Sequence, residues 1–101
     1  MKGDISNALG MVVTELTEAM KEEKGLTVPA GVLVTRITDQ EGAAATAGIM
    51  PGDVIVEVNR KPIRNISDFG AVIQGSKKGA KLLVRIVRND SKDLLVLRIP
   101  D

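Results

Sequence analysis

The chain has 101 residues, 44% of them hydrophobic, which is enough for one domain with a modest core and too apolar for a disordered segment. Its 14 basic and 13 acidic residues are interspersed, and with one Phe and no Tyr or Trp it has neither the basic stripe nor the stacking platform of a nucleic-acid binder. With no Cys and no His it cannot assemble a disulfide, a thiolate nucleophile or a Ser-His-Asp group, so no catalytic residue, metal site or cofactor is expected. No run approaches the ~20 apolar residues of a membrane-spanning helix, so no direct membrane insertion is expected.

The first element is the stretch Ala8-Leu9-Gly10-Met11-Val12-Val13-Thr14. Gly10 permits backbone dihedrals closed to other residues, so the amides of Leu9, Gly10 and Met11 can converge on one point, a geometry that binds anions. Leu9, Met11 and Val13 then share one face of the following strand by its two-residue period. An anion site beside an apolar pocket suits a peptide's terminal carboxylate and last side chain; a plain turn leading into a core strand fits the same residues.

Residues 16–25 read as a short helix with Thr17 as N-cap, Glu18 in the first turn, Lys24 in the last and Gly25 just past the end. Residues 26–31 are a loop, and the β-branched run 32–37 is a strand. Strict alternation puts Ile37 opposite Val32 and Val34, which points to a bulge near Arg36. Residues 43–48 form a one- or two-turn helix of small side chains ending on Gly48. Met50-Pro51-Gly52-Asp53 matches a type II turn, and residues 54–58 are the next strand. That strand closes on Asn59-Arg60-Lys61-Pro62, where Asn tolerates positive φ and Pro62 is expected to end sheet pairing.

Ser67 is the expected N-cap of a further helix, with Asp68 in its first turn and Phe69, Val72 and Ile73 at three- and four-residue spacing. Apolar residues at that spacing also fit an ordinary core stripe. Gly70 inside the helix makes room for a neighbour or softens the wall. Residues 81–88 alternate with Leu82, Val84 and Ile86 inward, residues 89–92 turn, and Leu95, Leu97 and Ile99 face inward on the return strand.

The run Ala44-x-x-Ala47-Gly48-Ile49-x-Pro51-Gly52-Asp53-Val54-Ile55-x-x-Val58-Asn59 resembles the core signature of PDZ domains, and it follows Leu9-Gly10-Met11 at the spacing that fold needs. Strand, acidic-basic helix and signature in this order resemble most closely the PDZ modules of bacterial HtrA/Deg (DegP-like) serine proteases, over essentially residues 5–99. The resemblance implies an α+β fold: a PDZ-like five- to six-stranded antiparallel β-sandwich or partly open barrel capped by two to three short helices. It implies a single PDZ domain, residues 1–101, a C-terminal module excised from a larger protease. The module itself would be non-catalytic, and its parent a periplasmic serine endopeptidase active in protein quality control.

By the same resemblance, the amides of Leu9, Gly10 and Met11 would hold a peptide carboxylate. Val12, Val13, Thr14, Asp68, Phe69, Val72 and Ile73 would line the groove. Ala8 stands where many PDZ domains have glycine, and Asn59-Arg60 replaces the usual Asn-Gly, which should strain that turn. The implied partners are apolar C-termini of unfolded or partner proteins, captured by β-augmentation. Alternatives are an assembly module between neighbouring protomers, or a PDZ domain of another host such as a C-terminal-processing protease, a membrane metalloprotease or a secretion component.

Overall fold

The computed structural model describes residues 9–28, 30–88 and 91–99. β1 (Met11–Glu15), β2 (Val32–Ile37), β3 (Val54–Val58), β5 (Lys81–Arg88) and β6 (Ser91–Arg98) are hydrogen-bonded in the order β1-β2-β3-β5-β6, with the two-residue β4 (Lys61–Pro62) on β3. Every pairing is antiparallel. Three short helices accompany this six-stranded sheet: α1 (Glu18–Lys24), α2 (Ala43–Ala47) and α3 (Ile66–Gln74).

The core follows the two-residue period. Leu82, Val84, Ile86 and Leu97 point to one side of the β5–β6 ribbon and join Val32, Val34, Ile55 and Val58 with Phe69 and Ile73 of α3. Ile49 and Ala44 bring α2 onto the same cluster, and the small side chain of Ala44 lets that helix sit close. Between β1 and β2 the register steps from Val12↔Arg36 to Val13↔Val34, so the expected bulge is present, with Thr35 as the extra residue.

The helix ends follow capping chemistry. Thr17 Oγ1 accepts the Met20 N–H at 3.1 Å and Gly25 closes α1 at φ 67°. Gly48 closes α2 at φ 93°. In α3 the cap is Asn65, whose Oδ1 accepts the Asp68 N–H at 2.8 Å, and not Ser67, which lies inside the helix. Asn65 wins because its oxygen reaches the donor three residues on, the geometry that Ser67, two residues later, cannot reproduce for this helix start.

Asp53 is 1% exposed, and its carboxylate carries both ends of an arginine fork: Arg88 Nε to Oδ1 at 2.8 Å and Nη2 to Oδ2 at 2.7 Å. The Met50 N–H also donates to Oδ2 at 2.9 Å, and Arg88 Nη2 reaches the Gly48 carbonyl at 2.8 Å. This pair locks the Met50–Asp53 turn, α2's end and β5 together. Its hydrogen bond to Asp53 raises the Arg88 pKa above the ordinary value, against a smaller opposing effect of desolvation.

Two local expectations need correction. Pro62 does not end sheet pairing: it sits opposite Glu57 in β4, an edge position where its missing N–H faces no partner strand. The β5–β6 turn is shorter than expected, because Ser91 and Lys92 already pair with Arg88 and Val87; residues 89 and 90 lie outside the described residues. Asn59 and Arg60 adopt φ of 51° and 69°, the left-handed pair of a tight hairpin turn. Asn59 Oδ1 accepts the Leu83 N–H at 2.8 Å and its own N–H donates to the Leu83 carbonyl at 2.7 Å, so this side chain continues the ladder onto β5.

Candidate peptide-binding groove

β1 stands at the end of the sheet order, and among the described residues no strand pairs its second edge. Gly10 enters it at φ 80°, where a Cβ would stand 3.0 Å from Asp39 Cβ. The Gly10 carbonyl accepts the N–H groups of Thr38 at 2.8 Å and Asp39 at 3.2 Å, so it faces the β2 side. Both polar groups of a strand residue point the same way, and the direction alternates along the chain. Val12 therefore also faces β2, in agreement with Thr35 Oγ1 donating to its carbonyl at 3.2 Å. The bulge falls on β2, so alternation on β1 is undisturbed. Met11 and Val13 consequently turn N–H and C=O toward the open edge, two rungs of a ladder without a second strand.

α3 stands beside this edge. Glu15 Oε1 accepts the Ile66 N–H at 2.8 Å, which ties the last residue of β1 to the first residue of the helix. The nine residues of α3 span about 13 Å at 1.5 Å each, somewhat less than the roughly 17 Å of the five-residue β1 at about 3.4 Å each.

The expected site residues fall into distinct positions. Leu9, Met11, Phe69 and Ile73 are all in the buried core cluster, so their side chains form the closed floor and are not the walls of an open pocket. Their burial follows from the same period that put Leu9 and Met11 on one face: that face is the core face. Val13 and Val72 are partly buried against the cluster and retain surface. Val72 also borders a cleft of about 180 Å³ with Asn59, Lys61 and Ser76, beside the β3–β4 turn. Val12 and Thr14 are half-buried and alternate with Val13, so their side chains flank the open edge from the other face of β1. The Asp68 carboxylate turns back to its own helix entry, accepting from Arg64 N at 3.0 Å and Arg64 Nε at 3.3 Å. Ala8 lies outside the described residues.

Two features were missed in the sequence. Glu15 and Ile66 are 51 residues apart and neither carries a pattern that announces their contact. The Asn65-x-x-Asp68 spacing, by contrast, is a helix-start signature that was available to be read. Among the described residues no cluster of three or more acidic side chains could hold a metal ion, and no helix is long and apolar enough to cross a membrane.

An antiparallel sheet whose glycine-led edge strand lies open beside a short helix defines a peptide-recognition fold. Residues 1–87 match the PDZ domain family, and the chain belongs to it. Among curated proteins it is similar to a probable periplasmic serine endoprotease, DegP-like, of Pseudomonas putida, with 36% identity over 96 residues covering 92% of this chain and 20% of that protein. The DegP-like endoprotease of Hahella chejuensis is 35% identical over 94 residues, 93% of this chain and 19% of that one. The chain thus spans about a fifth of the length of these relatives. Among solved structures it superposes on the HtrA-type protease AlgW with decapeptide at a TM-score of 0.78 and 29% identity, covering 91% of this chain and 28% of that one. The HtrA3 PDZ domain bound to a phage-derived ligand (FGRWV) shares the fold at a TM-score of 0.77 and 22% identity, covering 89% of this chain and 81% of that one.

Proposed function

We propose that this chain is the C-terminus-reading module of an HtrA/Deg-type serine protease, with residues 1–101 forming one PDZ domain of the larger protein. The observation that carries the reading is the open edge of β1, where Met11 and Val13 present unpaired backbone groups beside α3 and behind the left-handed Gly10. A partner's extended C-terminus adds there as an antiparallel strand, its carboxylate at the amides of Leu9, Gly10 and Met11. Its last apolar side chain packs toward Val13 and Val72 over the floor of Met11, Phe69 and Ile73. Val12 and Thr14 meet the alternate side chains of the added strand. The peptide-bound states of the AlgW and HtrA3 structures support this reading.

The module binds and does not cut, since no Ser-His-Asp or Cys-His group can be built from a chain without His or Cys. In the parent protein it selects exposed apolar C-termini of unfolded or partner proteins in the periplasm, the compartment in the relatives' names. Each net hydrogen bond contributes about 1 kcal/mol and the peptide loses freedom on binding, so the affinity is about micromolar. The test is amide-shift mapping of the ¹⁵N-labelled chain with a short peptide ending in Val as the free acid. The expected result is a saturable change centred on residues 10–14 and on α3. Changes confined to other elements would overturn the assignment.

A further inference from the structure

A second surface lies on the face of the sheet turned away from α3. Residues two apart along a strand share a face, and β5 pairs with β6 as Leu83↔Val96, Arg85↔Leu94 and Val87↔Lys92. Because Leu82, Val84, Ile86 and Leu97 point into the core, all six of these partners stand on the outer face. Leu83, Leu94 and Val96 are 44%, 50% and 51% exposed. They form one apolar patch, since Leu94 and Val96 are same-face neighbours along β6 and Leu83 lies across from Val96.

At Val87 the patch runs into a cleft of about 230 Å³, floored by Val56, Ile63 and Val87 and walled by Val28 and Ala30. Arg64, Arg85, Lys92 and Glu57 line its rim. Beyond the other end of the patch Lys81 stands opposite Arg98. Among the described residues, the carboxylates beside the cleft pair with two of its cations: Glu57 accepts from Arg85 Nε at 3.2 Å and Asp68 from Arg64 Nε at 3.3 Å, and Lys92 is the third cation of the rim. The chain as a whole carries only +1, so this face concentrates positive charge that acidic residues elsewhere, such as Glu18, Glu22 and Glu23 of α1, offset.

We propose that this face is a second binding surface, separate from the β1 edge, for an extended acidic-apolar segment of another protein. One apolar side chain of the segment enters the cleft. A carboxylate beside it meets Lys92 at the rim, and further apolar side chains lie on Leu94, Leu83 and Val96. From Val87 to Leu83 is about 13 Å at 3.3 Å per residue, the reach of four or five extended residues. Charge complementarity selects acidic flanks, and the recessed floor of Val56, Ile63 and Val87 selects a polypeptide. A bilayer takes up apolar groups that protrude into it and cannot fill such a cleft.

The test is an amide-shift titration of the ¹⁵N-labelled chain with a peptide of about ten residues alternating Glu with Leu and Ser. Acetylating its N-terminus and amidating its C-terminus removes any terminal carboxylate. The same titration uses a version with Lys for Glu and, separately, vesicles of phosphatidylglycerol and phosphatidylcholine. The expected result is saturable change at residues 83–87 and 92–96 with residues 10–14 unmoved, at least tenfold weaker binding in the Lys92→Glu/Leu94→Ser variant, and loss of binding at about 0.5 M salt. Both substituted side chains are exposed, so the fold is not at stake, and unchanged shifts of the core amides verify it. Change centred on β1 and α3, equal binding of the Lys version, binding of the vesicles alone, or no saturation up to roughly millimolar peptide would each overturn the proposal.

Discussion

Replacing Glu15 by Ala removes a strut between the two walls of the groove. Glu15 Oε1 takes the Ile66 N–H at 2.8 Å, a donor in the first turn of α3 that has no acceptor inside the helix. Two later donors are provided for locally: Asn65 Oδ1 takes the Asp68 N–H, and the Asn65 carbonyl takes the Phe69 N–H at 3.2 Å. A hydrogen bond to a charged acceptor contributes about 1.5–3 kcal/mol when shielded, and the helix N-terminus adds about 0.5 kcal/mol for a carboxylate. Glu15 is exposed, so water replaces much of the contact, and the net loss in Glu15→Ala is about 1 kcal/mol. For a domain of this size that lowers Tm by about 4–8 °C. Glu15→Gln keeps an acceptor oxygen without the charge and should lose about half as much. Because the strut sets the β1–α3 separation, the Ala variant should also bind a free-acid peptide roughly threefold to tenfold more weakly, a loss near 1 kcal/mol. Urea unfolding followed by far-UV circular dichroism, with a peptide titration on each variant, measures both. Stability within about 0.3 kcal/mol of the original chain, inside the range of ordinary surface substitutions, together with unchanged affinity would refute the reasoning.

Arg88→Met leaves the Asp53 carboxylate buried with only the Met50 N–H, and unfolding free energy should fall by about 3–5 kcal/mol; a loss below about 1 kcal/mol would show that the carboxylate is rehydrated. Arg60→Gly relieves a left-handed residue costing about 1–2 kcal/mol, less the roughly 0.5–1 kcal/mol that glycine loses in entropy, so chemical denaturation should show a gain of a few tenths to about 1 kcal/mol. Gly10→Ala places a Cβ against Asp39 at positive φ and should lower stability by about 1–2 kcal/mol while weakening peptide binding; retained affinity would separate the loop's geometry from the site.

Strand and helix positions were legible because side chains obey short periods: Leu82, Val84 and Ile86 alternate inward as β5 requires, and Thr17 and Gly25 bound α1 by ordinary capping. Val32, Val34 and Ile37 even disclosed the bulge that Thr35 makes. The open edge strand behind Gly10 was legible in the backbone pattern, and the placement of its side chains less so. The period that grouped Leu9, Met11 and Val13 cannot tell a core face from a groove face, and the burial of Leu9 and Met11 with Phe69 and Ile73 shows that it is the core face. Long-range contacts left no trace in the chain. Nothing about Glu15 announces Ile66, Asp53 gives no hint of Arg88 across 35 residues, and Pro62 reads as a terminator until β3 is seen to end on that edge.

The measurement that tests the central claim most directly compares one fluorescently labelled peptide, ending in an apolar residue, as the free acid and as the C-terminal amide. The structure predicts saturable binding of the acid at about micromolar concentration. The amide should bind at least tenfold more weakly, because in the proposed site the amides of Leu9, Gly10 and Met11 meet an anion and the apolar contacts alone are small. Equal affinity of acid and amide, or no binding of either, would contradict a groove that reads a chain's terminal carboxylate at the open edge of β1.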